Sequence, residues 1–260
     1  MRVIGIIPAR MAASRFPGKP LVEIANMTML EHVYRRAALY PDWHTLAVAT
    51  CDREIEEFSQ KKNFPVIDTS NHHVRALDRV AEAMDKLAIE LDESDVVVCV
   101  QGDEPLLEPA MIEAVVKPIQ ESDSVDATLL GVHVTEENVW LNPDTVKLIS
   151  NDSGEILYTS RAPIPYAKDG FSPDLMARRV GGIFAFRPDS LRKFTQHAET
   201  RLELLEACDS NRLLDMSFRQ YLAPFDSVPM YSVDSPSDIN LVEQALKTDE
   251  LYKLYGGQPE

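Results

Sequence analysis

Asp95–Pro109 reads DVVVCVQGDEPLLEP. After the aspartate comes a continuous apolar, mostly β-branched run. That pattern predicts a strand buried on both faces, as in the centre of a parallel sheet. The run ends at Gln101-Gly102, where a turn is expected, and a helix is expected to start near Pro109. Working outward, Val3–Ile7 is another continuous apolar run, closed by Pro8. Between the two, Met29–Leu39 reads as a helix, Leu46–Thr50 as a strand, Ile55–Lys61 as a helix and Val66–Ile67 as a short strand. Leu77, Val80, Ala81, Met84, Leu87, Ala88 and Leu91 recur at helical spacing and predict an amphipathic helix over Ala76–Leu91. Strands alternating with helices imply βαβ units and a mostly parallel α/β sheet.

Past residue 125 the pattern changes. Ala127–Val134 alternates, Thr145–Ser150 reads as a strand ending at an Asn151–Gly154 turn, and Gly182–Phe186 reads as another strand. Helices are expected over Leu202–Leu214 and Pro236–Leu246, the latter capped by Asp234 or Ser235. A short strand is expected over Met230–Val233. The reading is one domain over residues 1–260. It has a nucleotide-binding half (1–125), an acceptor-binding and dimerisation half of mixed structure (126–250) and a tail (251–260).

Composition narrows the function. Hydrophobic residues make up 45% and charged residues 26%, enough for a sizeable core. No apolar run reaches the ~18 residues of a membrane span, and no secretory leader is read at the N-terminus. Three widely spaced cysteines without a CxxC suggest neither a disulfide framework nor a zinc site, and a cytoplasmic location is expected. A formal charge of −16 argues against nucleic acid or an anionic membrane as partner. It also means that any site for an anionic ligand must gather local positive charge.

IIPARMAASRFPGKPL (6–21) meets that need, delivering Arg10, Arg15 and Lys19 just beyond a strand. Arginine holds phosphate oxygens bidentately and lysine adds a compact charge. Small residues from Ala9 to Gly18 let backbone N–H groups approach an anion. This is not a GxxxxGK[ST] loop. Charge count alone fits a solvated basic loop equally well. Placement at the carboxyl end of a strand, where open α/β sheets bind ligands, favours the anion site. In VQGDEPLLEP (100–109), a strand presents Asp103 and Glu104. Such carboxylates suit Mg²⁺ bound to phosphates, or simply an acidic turn. In VDSPSD (233–238), Asp234 reads first as a helix cap; a functional role needs a partner in space.

Together with NPDTVKLISNDSGEILYTSRAPIPY (142–166), these strings resemble, in order and separation, the 3-deoxy-manno-octulosonate (Kdo) cytidylyltransferase family, the CMP-Kdo synthetases. The resemblance implies a nucleotide-diphosphosugar-transferase-like, Rossmann-like fold, usually a homodimer. The implied reaction joins CTP to a 2-keto sugar acid, giving a CMP-sugar and pyrophosphate for lipopolysaccharide or capsule synthesis. By similarity, Pro8, Ala9, Arg10, Arg15 and Lys19 would hold the nucleotide, with His73 and Arg79 beside it. Asp103 and Asp234 would bind Mg²⁺ and act with Lys19 in catalysis. Gln101, Arg161 and Glu206 would meet the acceptor, Arg161 through its carboxylate.

Departures from the family pattern cluster where specificity is expected. The family's H-x-S-G-T-[DE]-R is here His73-Val74-Arg75-Ala76-Leu77-Asp78-Arg79, without the Ser-Gly-Thr tract. R-H-x-G-I-Y-x-Y becomes Arg179-Val180-Gly181-Gly182-Ile183-Phe184-Ala185-Phe186, and L-E-Q-L-R becomes Leu205-Glu206-Ala207-Cys208-Asp209. Each change removes hydrogen-bonding groups. That leaves open a modified Kdo, another sugar acid or a phosphonate as acceptor, another nucleotide, or a non-catalytic nucleotide-binding homologue.

Overall fold

A computed structural model describes residues 1–12, 16–226 and 231–256. Along the chain, the first half runs β1 (Val3–Pro8), β2 (Glu23–Ile24), β3 (Met27–Thr28), α1 (Met29–Ala37), β4 (Trp43–Thr50), α2 (Arg53–Lys61), β5 (Val66–Asp68), α3 (Ala76–Asp85), β6 (Val96–Val100) and α4 (Pro109–Glu121). It continues with β7 (Ala127–His133), α5 (Glu137–Leu141), β8 (Lys147–Ser150), β9 (Ile156–Ser160), β10 (Arg178–Phe186), α6 (Pro188–Gln196), α7 (Arg201–Glu206), α8 (Ser210–Asp215), β11 (Gln220–Phe225), α9 (Asp238–Leu246) and α10 (Glu250–Tyr255).

The chain forms two compact units. The first comprises Arg2–Glu90, Cys99–Ile112 and the described part of Val228–Glu260. The second comprises Leu91–Val98 and the described part of Glu113–Ser227. In the first, β1 pairs β4 and β4 pairs β5, both parallel, with Ile7 opposite Val48 and Ala49 opposite Ile67. The run expected to be a doubly buried strand is one: Ile4, Ile6 and Ile7 are fully buried, as are Val96 to Val98 of β6. A satellite core of Ile24, Met29, Leu106, Val233, Val242 and Leu246 packs α9 onto the start of α1. Burying each such side chain is worth about 1.5–3 kcal/mol, which secures the chain's return to this unit near Asp234.

The second unit is mixed, as expected. β10 pairs β7 and β8 antiparallel, β8 pairs β9 antiparallel, and β11 pairs β7 parallel. Phe184 and Val180 pack on Leu129, Leu148 and Ile156, while Phe186 is buried against Phe194. These are strand-core positions.

Several expectations are corrected by side-chain partners. The helix read to Leu91 ends at Asp85, and the next residue, Lys86, sends its ammonium to Asp68 O at 2.9 Å and to Glu82 at 2.8 Å. Leu202–Leu214 is two helices, broken at Ala207 with φ 48°. There the Arg161 guanidinium takes the carbonyls of Glu206 (3.0 Å) and Ala207 (3.1 Å), a cation satisfying the open end of α7. The last long helix starts at Asp238, with Ser237 at its cap. The Asp238 carboxylate accepts the amides of Asp234 (2.9 Å) and Ser235 (2.7 Å), so Asp234 is not spent on capping. The strand expected over Met230–Val233 is irregular over Tyr231–Val233, and Met230 lies outside the described residues.

Candidate active site

The site belongs to the first unit and starts where β1 ends. Ala9 N–H donates to Ala49 O at 2.9 Å, extending the parallel ladder, and Met11 N–H donates to the Asp52 carboxylate at 2.7 Å. Gly18 N–H returns to Met11 O at 3.0 Å and closes the loop. Gly18 sits at φ 75°, a left-handed conformation costly for any residue with a Cβ, and opens the 3₁₀ turn Lys19–Leu21. Arg15, expected to hold phosphate, lies outside the described residues.

The end of β6 meets this loop. A Cβ on Gly102 would lie 3.0 Å from Pro8 O, so only glycine lets the two strand ends approach without displacement. Lys19 then reaches across. Its ammonium donates to Asp103 Oδ2 at 2.8 Å and to Val233 O at 2.8 Å, and lies 3.6 Å from Asp234 Oδ1. Val233 N–H donates to Asp103 O at 2.9 Å, which ties the Asp103 and Asp234 segments together through the backbone. Glu104 faces elsewhere: it is buried and accepts from Ser232 Oγ at 2.6 Å, bracing the segment that carries Asp234.

Lys19, Asp103 and Asp234 line one cavity with Pro8, Ala9, Arg10, His73, Arg75, Arg79 and Gln101. Among the described residues, four cations and two carboxylates line it, so a chain of charge −16 has a locally cationic pocket. Arg75, a motif departure, is among those cations. Arg79 lines the cavity but is almost fully buried, its guanidinium donating to Thr69 Oγ1, Ser70 O and Cys51 Sγ. Its place is the pocket wall, with most of its donors turned to the protein.

His73 also lines the cavity, and its Nε2 bonds the carboxylate of Glu82, a residue no sequence motif singles out. Burial opposes ionisation of Glu82. Hydrogen bonds from Lys86, the Ser70 amide and His73 outweigh it and hold the carboxyl at about 2. His72 is not on the cavity wall and bonds Ser70 Oγ. His32, His133 and His197 bond backbone carbonyls.

No cluster of three or more His, Cys, Asp or Glu suited to a metal occurs among the described residues. Asp103 and Asp234, both against Lys19, offer hard oxygen donors on one wall. Two carboxylates completed by ligand phosphates and water are a donor set that fits Mg²⁺.

Arg161 and Glu206 belong to the second unit and meet each other. Glu206 accepts from Tyr158 Oη at 2.6 Å, Ser160 Oγ at 2.9 Å and Arg161 N–H at 3.0 Å. Burial resists its ionisation, but these donors, Tyr158 foremost, hold its carboxyl below the usual range. Besides the end of α7, the Arg161 guanidinium donates to Pro143 O at 2.9 Å. The Arg161 carbonyl accepts from the buried ammonium of Lys147 at 2.7 Å, and burial, then Arg161 itself, pushes that lysine down. Glu206 thus organises Arg161 and its loop.

Comparison with known proteins gives the chain's relatives. A cytidylyltransferase family model matches residues 4–220. The 3-deoxy-manno-octulosonate cytidylyltransferase of Oleidesulfovibrio alaskensis is 39% identical over 95% of this chain and 97% of its own. That of Saccharophagus degradans is 34% identical over 95% of this chain and 100% of its own. A solved structure of CMP:2-keto-3-deoxy-manno-octonic acid synthetase complexed with CTP superposes with a TM-score of 0.84 at 28% identity, covering 95% of this chain and 99% of that one. The chain therefore belongs to the cytidylyltransferase family and is a nucleotidyltransferase.

Proposed function

We propose that this enzyme transfers the cytidylyl group of CTP to 3-deoxy-manno-octulosonate or a closely related 2-keto sugar acid, releasing pyrophosphate. The observation that carries the reading is the Lys19 ammonium set between Asp103 and Asp234 on the wall of a cationic cavity. The names of the relatives supply the nucleotide and the acceptor.

In the reaction the anomeric oxygen of the sugar acid displaces pyrophosphate from the α-phosphorus in line. The protein needs no covalent nucleophile for this; it needs alignment and neutralised charge. Arg10, Arg15 and Lys19 bind the triphosphate, with backbone N–H groups of the loop after Pro8 and Ala9. Arg79 shapes the wall beside His73, and Gln101 lines the same cavity. Asp103 and Asp234 are the ligands for Mg²⁺, which when bound supplies Lewis-acid neutralisation of phosphate charge.

The second unit carries acceptor recognition through the loop that Arg161 and Glu206 organise. That both are occupied by protein partners favours backbone groups of this loop, or Arg161 after its carbonyl bonds are exchanged, as the contact to an acceptor carboxylate. Exposed Leu157, Leu204 and Leu205 support pairing with a second copy. Among the described residues no helix is long and apolar enough to cross a membrane.

The departures from the family pattern support a second acceptor: Val180 and Phe184, packed on Leu129, Leu148 and Ile156, are apolar where that pattern has hydrogen-bonding groups, which suits a sugar acid lacking the matching polar atoms. The test is pyrophosphate release with Mg²⁺ across four nucleoside triphosphates and a panel of sugar acids. Turnover with CTP and Kdo is expected; turnover only with another acceptor selects the second reading. Nucleotide binding without any turnover overturns both.

A further inference from the structure

The wall of the cavity from His73 to Ala76 contains one hydrogen-bonding side chain besides the Arg75 guanidinium, that of His73; its other neighbours there are Val74 and Ala76. The ring is tied from behind. Its Nε2 bonds Glu82, which does not itself line the cavity. Glu82 is in turn anchored by the Ser70 amide at 2.9 and 3.1 Å and by Lys86 at 2.8 Å, and Lys86 is held by Asp68 O at 2.9 Å. One carboxylate on α3 therefore binds Ser70 and His73 of the segment between β5 and α3, and fixes the ring.

A carboxylate can only accept, so in this contact the hydrogen sits on Nε2 of His73. In the neutral ring Nδ1 is then a bare acceptor. The bond made by one imidazole nitrogen sets what the other offers.

We propose that Glu82 is a positioning residue for nucleotide recognition: by holding the Nε2 hydrogen of His73 it fixes the ring and its tautomer, so that Nδ1 accepts a hydroxyl or amino hydrogen of the nucleoside. This deepens, and rests on, the reading of the cavity as the CTP site. Glu82→Gln is the informative change. Its amide still accepts from Ser70, but it pairs with either tautomer of His73, so the fixed acceptor is lost.

The experiment uses the full chain. ¹⁵N shifts of the His73 ring in the ligand-free wild type report the tautomer directly, and an Nε2–H form is expected. CTP titration of wild type, E82Q, H73A and the double variant forms a thermodynamic cycle. E82Q and H73A each lower CTP affinity about tenfold, and the double variant falls no further. E82Q raises KM for CTP with kcat at saturation within threefold. Lys86→Met, which loosens the same anchor but leaves the His73 contact, stays within twofold of wild type. An Nδ1–H tautomer in the wild type overturns the proposal whether or not any variant folds. So does E82Q with wild-type affinity, or an equal loss from E82Q in the H73A background. Failure of the broader reading looks different. A wild type that prefers another triphosphate overturns the CTP assignment while the cycle is still read with that nucleotide. A wild type that binds none overturns both.

Discussion

Replacing Lys19 by methionine keeps most of the side chain's bulk and removes the charge that meets both carboxylates of the cavity. The lost ammonium bonds are those to Asp103 and Val233 O, each at 2.8 Å, with Asp234 at 3.6 Å. At an effective dielectric near 20, the gross attraction to Asp103 is about 6 kcal/mol. Most of it is cancelled by desolvation and ordering, because the Asp103 and Asp234 side chains remain 23% and 45% exposed and water reclaims them. A net loss of about 2 kcal/mol is expected, a fall in Tm of about 4–8 °C for a chain of this size. Turnover should fall much further. A preorganised charge aimed at developing phosphate charge is worth about 10²–10³ in kcat. Pyrophosphate release at saturating CTP and a thermal melt read the two effects separately. Lys19→Arg should recover much of the Tm but little turnover, since a planar guanidinium does not bring its donors to one point as an ammonium does. A Lys19→Met enzyme with kcat within threefold of wild type would refute the catalytic role and leave Lys19 a structural strut.

Asp103→Asn and Asp234→Asn should each lower turnover by at least 10²-fold while acceptor binding changes little; unchanged pyrophosphate release in either removes that residue from the metal assignment. Glu203→Gln breaks the pair with Arg212, whose two side chains are 2% and 3% exposed and bond at 2.5 and 2.7 Å. It should cost about 3–5 kcal/mol in denaturant melts, because Arg212 is left buried and unpaired. Buried His32 donates from Nε2 to Ile24 O at 2.8 Å and meets Tyr255 Oη through Nδ1 at 3.0 Å, and burial pushes its pKa below the ordinary 6.5. The unfolded chain therefore binds the proton first. The contribution of His32 to stability is complete above about pH 6.5 and is lost as pH falls toward the lower folded value. Melts across that range should show a slope that His32→Asn flattens; an equal slope in the variant rejects this account.

Much of the architecture could be read locally. Val3–Ile7 and Val96–Val100 declare doubly buried strands because an uninterrupted apolar run has nowhere to go but a sheet interior. The first turns of α1 and α3 follow from their periodicity. The misreadings share one cause. At Lys86, Ala207 and Asp238 a side-chain bond sets the helix end, from a partner far along the chain in the first two and from Asp238 to the amides three and four residues before it in the third, and apolar periodicity carries none of it. The same is true of Glu82, which in sequence is one acid among 42 Asp and Glu.

What the sequence by itself determined was the inventory and its order: a basic loop after one apolar strand, an aspartate after another, a second aspartate before a late helix. Only the tertiary structure decided that these meet. Lys19 bonds Asp103 across 84 positions and Val233 across 214, and the meeting depends on the ends of β1 and β6 lying side by side and on a glycine at 102 with no side chain between them. It decided likewise that Glu206 faces Tyr158, Ser160 and Arg161, and that Glu82 stands behind His73. A residue's type sets which bonds it can make; which partner it finds is set by packing, because charges far apart in the chain act on each other only after burial of the apolar strands has brought them within a few ångströms.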